Sequence, residues 1–235
     1  MTTTDTLEPP FAAPPHDKTP QQRKGIYLTL LAIGVFVTLV MAGFLNKITT
    51  PRVLSPIELR ANGTYVFDQP RIFKDFSLQN QHGESFALEQ LKGKWSLMFF
   101  GFTSCPDVCP ATLSLMKDVK AQLKPEIAAK TQFVLVSVDP ARDTSEQLNQ
   151  YMAYFDPEFV GLTGEFLEIK RLANQLNMAF VKVRQGPGAM DYTVDHSTNI
   201  ALVNPFGHYH GFIKPPLDTA RVKLTLQSIV TTFDP

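Results

Sequence analysis

The chain has 235 residues, with 22 Lys+Arg against 22 Asp+Glu and two cysteines. A net charge of zero excludes nucleic-acid backbone binding as the main role, because that needs a cationic excess. Two cysteines cannot supply the disulfide framework of a small secreted scaffold, nor by themselves a four-cysteine zinc or iron–sulfur site.

At 44% hydrophobic and 19% charged the chain is globular, and its length suggests one domain plus accessories. Residues 1–25 carry Pro9, Pro10, Pro14, Pro15 and Pro20 among Thr, Gln and Asp. Such a stretch has too little apolar surface to fold, so a disordered tail is expected. From Ile26 to Leu45 no charge interrupts 20 residues, enough at 1.5 Å per residue for a hydrocarbon core of about 30 Å. The apolar region of a cleaved signal peptide is shorter, about 7–15 residues, so the expectation is one transmembrane anchor. Its orientation is a near tie by flanking charge, with Lys18, Arg23 and Lys24 before it and Lys47, Arg52 and Arg60 after it. Residues 46–64, with Pro51, Pro56, Asn62 and Gly63, read as a linker, and residues 65–235 as the folded domain.

Within that domain, Ser77 to Phe86 reads as a hairpin turning near His82-Gly83. Leu97–Phe102 and Phe133–Val138 are apolar runs of the kind found in strands covered on both faces. Between them Leu115, Met116, Val119 and Leu123 share a helical face that stops before Pro125. Thr144-Ser-Glu-Gln147 has the form of a capping box opening a helix with Leu148, Tyr151, Met152 and Phe155 on one side. Ile169, Leu172, Ala173 and Leu176 repeat that spacing. Ala179–Val183 and Asn199–Val203 read as strands, Asn204-Pro-Phe-Gly207 as a hairpin turn, and about Asp218 to Val230 as a closing helix with Val222, Leu226 and Ile229 inward. The order implies an α/β fold, a mixed central sheet flanked by helices.

Both cysteines lie in Phe99-Phe-Gly-Phe-Thr-Ser-Cys105-Pro-Asp-Val-Cys109-Pro110, where a strand ends and a helix begins. Open α/β sheets place ligands at that edge, and a helix N-terminus favours the thiolate. Pro106 and Pro110 suit a first turn, where a missing N–H costs least. Cysteines four apart in one turn are within reach of one metal ion or of each other. A metal would need a third ligand. Of the five histidines, His16 falls in the tail, His82 at a hairpin tip, and His208 and His210 along what reads as an exposed strand face. His196 stands in Val194-Asp195-His196-Ser197, at the entry edge of an apolar strand.

Three ordered motifs, the cysteine block, Ser137-Val-Asp139-Pro-Ala-Arg-Asp-Thr144 and Asp195-His196-Ser197, resemble the SCO/SenC family over roughly Phe73 to Ile229. These are membrane-anchored copper proteins with a thioredoxin-like domain that help to assemble the dinuclear copper centre of cytochrome c oxidase. The resemblance implies a thioredoxin-like domain behind one transmembrane helix, with Cys105, Cys109 and His196 as copper ligands. It also implies copper as the bound metal, the copper-bearing oxidase subunit and an upstream copper donor as partners, and no nucleic acid. Soft thiolates select Cu(I), and imidazole suits copper in either oxidation state. Such a set in a surface turn leaves copper open to capture by an incoming thiolate. Asp195 is a candidate to orient the His196 ring. Asp139 needs no role beyond that of an Asp-Pro turn former, and Asp107 is a candidate docking residue.

A thiol–disulfide oxidoreductase, cycling Cys105 and Cys109 as a redox disulfide, is the rival reading. The Cys-x3-Cys spacing departs from the redox Cys-x-x-Cys, and Val194-Asp195-His196 stands where thioredoxins resemble one another in having a cis-proline. The two roles are compatible, since some family members are thought to reduce the acceptor's cysteines. A Cys2His zinc enzyme ranks below both, for want of an evident acid–base partner. A cycling dithiol suits the periplasm or an intermembrane space better than a reducing cytosol. The expected topology is therefore N-terminus in, domain out.

Overall fold

The uncharged run lies inside a single helix, α1 (Pro20–Thr49), in a computed structural model that describes residues 19–49 and 52–233. The Thr29 and Thr38 hydroxyls donate to the carbonyls of Gly25 and Gly34 at 3.0 and 2.8 Å, so each is satisfied within the helix. Pro20–Ile48 is long and apolar enough to cross a membrane. Residues 1–18 of the expected tail lie outside the described residues. Its last part, Pro20–Gly25, belongs to the helix, because Pro20 occupies a first turn that needs no N–H from it.

The chain divides into two units between Thr50 and Pro51. The expected linker is therefore corrected: α1 runs on to Thr49, and from Leu54 the chain is part of the globular unit. Leu54 and Leu59 are buried, and the Leu54 N–H donates to Ser228 Oγ at 2.7 Å. Ser55 and Glu58 form a reciprocal capping box at the start of α2 (Pro56–Ala61), with Pro56 in its first turn.

The rest follows in the order β1 (Thr64–Arg71), β2 (Leu78–Asn80), β3 (Ser85–Phe86), a 3-10 turn at Leu88–Leu91, β4 (Trp95–Gly101), α3 (Val108–Gln122), α4 (Pro125–Ala128), β5 (Thr131–Ser137), α5 (Ser145–Phe155), β6 (Val160–Thr163), α6 (Phe166–Gln175), β7 (Phe180–Arg184), β8 (Tyr192–His196), β9 (Ile200–Val203), β10 (Tyr209–Ile213) and α7 (Thr219–Thr232). Eight strands make one mixed sheet, ordered β1-β10-β9-β4-β5-β6-β2-β3. At its centre β4, β5 and β6 run parallel, and β9 lies antiparallel to β4. Every residue of β4 and β9 is buried, as two-sided burial of an apolar run requires. The cap of α5 is half the expected box, the Thr144 hydroxyl accepting from Gln147 N–H at 3.2 Å. Asp218 caps α7 in the same way, and Val222, Leu226 and Ile229 point inward as their spacing requires.

Strands β7 and β8 stand apart as a two-stranded sheet of their own. This hairpin was only half expected: Ala179–Val183 reads as a strand, whereas Tyr192–His196 carries too few apolar residues to announce one. At the other edge, Gly211 of β10 lies so close to β1 that a Cβ there would stand 2.1 Å from the Tyr65 carbonyl oxygen. Only glycine fits that approach.

Candidate metal centre

The buried strand β4 delivers the cysteine turn. Leu97, Met98, Phe99 and Phe100 fix it in the core, and the chain leaves the sheet at Gly101. Gly101 is itself required by the site, since a Cβ there would lie 2.7 Å from Cys109 Sγ and 2.9 Å from the Phe99 ring. Cys105 sits in the loop, half-buried, and Cys109 in the first turn of α3, fully buried. Pro110 follows inside that turn, where the missing N–H has no helical partner to lose. Asp107 holds the cap position, exposed and without a side-chain cap bond.

Loop and turn are tied down from the segment between β5 and α5. Asp143, fully buried, accepts from Thr103 N–H at 3.0 Å, from the Thr103 hydroxyl at 2.6 Å and from the Ser137 hydroxyl at 2.6 Å. Thr103 lies two residues before Cys105, so this carboxylate fixes the approach to the first thiol. The Cys109 N–H donates to Cys105 Sγ at 3.4 Å, a helix-start donor turned toward sulfur. Burial pushes the Cys109 thiol above its ordinary range, while a hydrogen bond from the Phe102 backbone pulls the other way. Tyr151 of α5 adds a phenol whose oxygen is buried and unpartnered, and burial pushes that phenol up as well.

His196 meets this turn from across the chain. Its Nε2 lies 3.4 Å from Cys109 Sγ, and its Nδ1 lies 3.1 Å from the Ser197 carbonyl oxygen. A carbonyl only accepts, so Nδ1 carries the proton and Nε2 presents its lone pair to sulfur. Phe99 and Phe102 hold the imidazole edge-on, their ring centroids 5.7 and 5.8 Å away. The ring does not emerge from the entry of the apolar strand, as its place in the sequence suggested. His196 closes β8, paired with Phe180, and β9 begins only at Ile200.

Asp195 does not orient the ring. Adjacent residues of a strand face opposite sides, and the Nδ1 partner is the Ser197 carbonyl. Asp195 is exposed and, with Ala179, Phe180, Val181, His196 and Ser197, lines an open hollow of about 320 Å³ beside the imidazole.

The ligand atoms of Cys105, Cys109 and His196 lie within 4.8 Å of one another, the one such cluster among the described residues. Ligand atoms about 2.0–2.3 Å from a single ion stand roughly 3.5–4 Å apart, so a small contraction would close the set on a metal. Two sulfurs and one nitrogen are a soft donor set. Both cysteines are free, so the same pair can also exchange disulfides. His82 is exposed at its turn, and His16 lies outside the described residues. His208 and His210 take no part. His210 is not on an exposed face: it is half-buried, edge-on to Trp95 and Phe233, and its Nδ1 accepts from Asn204 Nδ2 at 3.4 Å.

Sequence reasoning missed three groups around this centre: Gly101, Asp143 and the buried Asp139. Both carboxylates lie in the motif Ser137–Thr144, whose local look is only that of a turn.

The SCO1/SenC family profile matches residues 67–231. A protein named "Putative copper-binding protein" from Stutzerimonas stutzeri is 42% identical over 160 residues, covering 68% of this chain and 78% of that protein. The crystal structure of yeast Sco1 with copper bound superposes with a TM-score of 0.65 at 30% identity, covering 71% of this chain and 92% of that one. BsSco, described as a member of the Sco family of cytochrome c oxidase assembly proteins with a disulfide switch, gives a TM-score of 0.55 at 25% identity, over 72% of this chain and 99% of that one.

Proposed function

The chain belongs to the SCO1/SenC family, and we propose that it is a membrane-anchored copper carrier that serves assembly of the dinuclear copper centre of cytochrome c oxidase. Cys105, Cys109 and His196 hold the copper. The observation that carries this reading is the meeting of two sulfurs and one imidazole nitrogen within 4.8 Å, with His196 87 residues beyond Cys109. Thiolates bind Cu(I) and the imidazole serves either oxidation state. Cys109 is deep and Cys105 half-exposed, so copper stays open on the Cys105 side. There an acceptor thiolate on the copper-bearing oxidase subunit can displace one ligand at a time, and a copper donor can load the site by the reverse exchange. Helix α1 supplies the anchor, with the N-terminus inside and the domain in the periplasm or intermembrane space, where a dithiol can cycle.

A second reading is supported by one contact. The Cys109 N–H is directed at Cys105 Sγ, which favours Cys105 as an attacking thiolate with Cys109 as the resolving thiol. The acceptor's disulfide would then be reduced to two thiols as Cys105 and Cys109 become a disulfide, before copper is passed on.

Anaerobic titration of the full chain in detergent with Cu(I) against a competing chelator tests the main reading. One tightly held copper per chain is expected, with clear weakening in His196→Ala. No copper binding, together with fast reduction of a substrate disulfide, would leave the oxidoreductase reading alone.

A further inference from the structure

The end of β5 holds a carboxylate that the metal set does not use. Asp139 is fully buried and faces three donors. Arg142 Nε binds one of its oxygens. The Tyr192 hydroxyl donates to the other at 2.7 Å, and Lys182 Nζ stands 3.5 Å from that same oxygen. Tyr192 and Lys182 belong to the two strands of hairpin β7–β8 and also meet each other, Nζ to hydroxyl at 3.3 Å. The Arg142 guanidinium lies between two rings, 5.6 Å from the centroid of Phe102 and 4.2 Å from that of Tyr192, and Nη1 donates to the Tyr192 carbonyl at 3.2 Å.

Besides this cluster, the hairpin that carries His196 is held through Phe180, edge-on to Phe166 and bonded at its carbonyl by Lys170, and through Val194. Of β7 only Phe180 is buried, and of β8 only Val194. A buried ion pair is weak as a source of stability and better as a device that fixes one arrangement. Here it joins the three parts that matter: the end of β5, the ring of Phe102 that abuts His196, and the hairpin on which His196 sits.

We propose that Asp139 and Arg142 are positioning residues for His196. They clamp Tyr192 and Lys182, hold hairpin β7–β8 over the cysteine turn, and so set the approach of Nε2 to Cys109. Releasing the clamp withdraws the imidazole and leaves a two-sulfur site. In the loaded protein this makes the histidine the adjustable ligand, moved as part of a hairpin rather than by its own side-chain rotation. The inference rests on the copper reading above for its consequence, though the clamp itself can be tested without metal.

The test uses the full chain in detergent, with Arg142→Gln, Tyr192→Phe, His196→Ala and the double variant Arg142→Gln/His196→Ala. In the metal-free protein, hydrogen exchange of the β7–β8 amides should accelerate in Arg142→Gln and, less, in Tyr192→Phe, while β4 and β9 stay protected. In the Cu(II)-loaded protein, Arg142→Gln should lose the imidazole nitrogen hyperfine signal. Its Cu(I) affinity should fall about tenfold or more, the range for groups that orient a ligand. The double variant should be no weaker than His196→Ala, because both changes remove the same ligand. Unchanged hairpin exchange in both Arg142→Gln and Tyr192→Phe overturns the clamp, and so does a nitrogen signal that survives Arg142→Gln or losses that add in the double variant. If Arg142→Gln fails to fold, Tyr192→Phe decides alone, since it deletes one hydroxyl. A wild type that binds no copper would overturn the copper reading, with the exchange measurement still judging the clamp.

Discussion

The cysteine turn and the histidine hairpin bring their ligands to one place but are held in opposite ways. Cys109 sits buried in the first turn of α3, behind β4, whose seven residues are all buried, and its sulfur lies against Gly101. His196 ends a hairpin whose partner strand leaves Val181 and Val183 exposed and whose ties to the body run through the Asp139–Arg142 cluster and through Phe180 and Val194. Packing in a core is all-or-none and tolerates little displacement. A hairpin with few buried contacts opens at a small fraction of the global unfolding free energy. The Cys109 thiol is thus coupled to folding, whereas the proposed clamp would let the imidazole leave while the fold stays intact. On the proposed copper-carrier reading, that division places strength and release on different elements.

Substitutions on the two sides should separate accordingly. The largest loss is expected from Asp143→Ala, which strands the part-buried Thr103 N–H and the buried Ser137 hydroxyl and frees the approach to Cys105. About 3 kcal/mol of stability should go, read by chemical denaturation, and copper binding with it. Gly101→Ala drives a methyl group into Cys109 Sγ and should cost about 1–3 kcal/mol as an overpacked core does. A variant as stable as wild type would show that the turn can shift, and would weaken the contrast.

A remote control comes next. Burial lowers His210 to about 4, among Trp95, Phe233 and Asn204, none of them charged. The folded state keeps this ring neutral while the unfolded chain protonates below about 6.5. Its contribution is therefore complete above that pH and is lost as pH falls toward 4, about 1–2 kcal/mol after allowance for solvent screening. His210→Phe should flatten the stability profile in that window without altering copper affinity at pH 7. The smallest effect on folding belongs to the ligand itself. His196→Ala should change stability by about 0.5 kcal/mol or less, as changes outside the core do, yet weaken copper clearly. A large destabilisation by His196→Ala would contradict the division drawn above.

What was legible in the sequence follows the same line. The thiol side is written locally: an apolar run, a glycine, then two prolines and two cysteines within a dozen residues, so strand, turn and helix start could be read in order. The capping box Ser55-Pro-Ile-Glu58 was equally local and still passed for linker, because the prolines, Asn62 and Gly63 around it carry the stronger loop signal. On the histidine side, position set His196 apart from the other four histidines, and only the resemblance to a family pattern made it a ligand. Strand β8 has one buried side chain, and the clamp joins Asp139 to a tyrosine 53 residues away. An Asp-Pro pair explains itself as a turn, so nothing local reveals that Asp139 is buried or what it holds. Asp195 was misjudged for a related reason: adjacency in sequence was taken for adjacency in space, where a strand turns neighbours apart.

The central claim is that the two sulfurs of the cysteine turn and one hairpin-held imidazole share a copper ion. Copper K-edge absorption of the Cu(I)-loaded full chain, wild type beside His196→Ala, tests it most directly. The expected result is a shell of two sulfurs and one nitrogen in the wild type, reduced to the two sulfurs in a variant that remains folded. An unchanged shell in His196→Ala, or a wild type without a nitrogen neighbour, would contradict it.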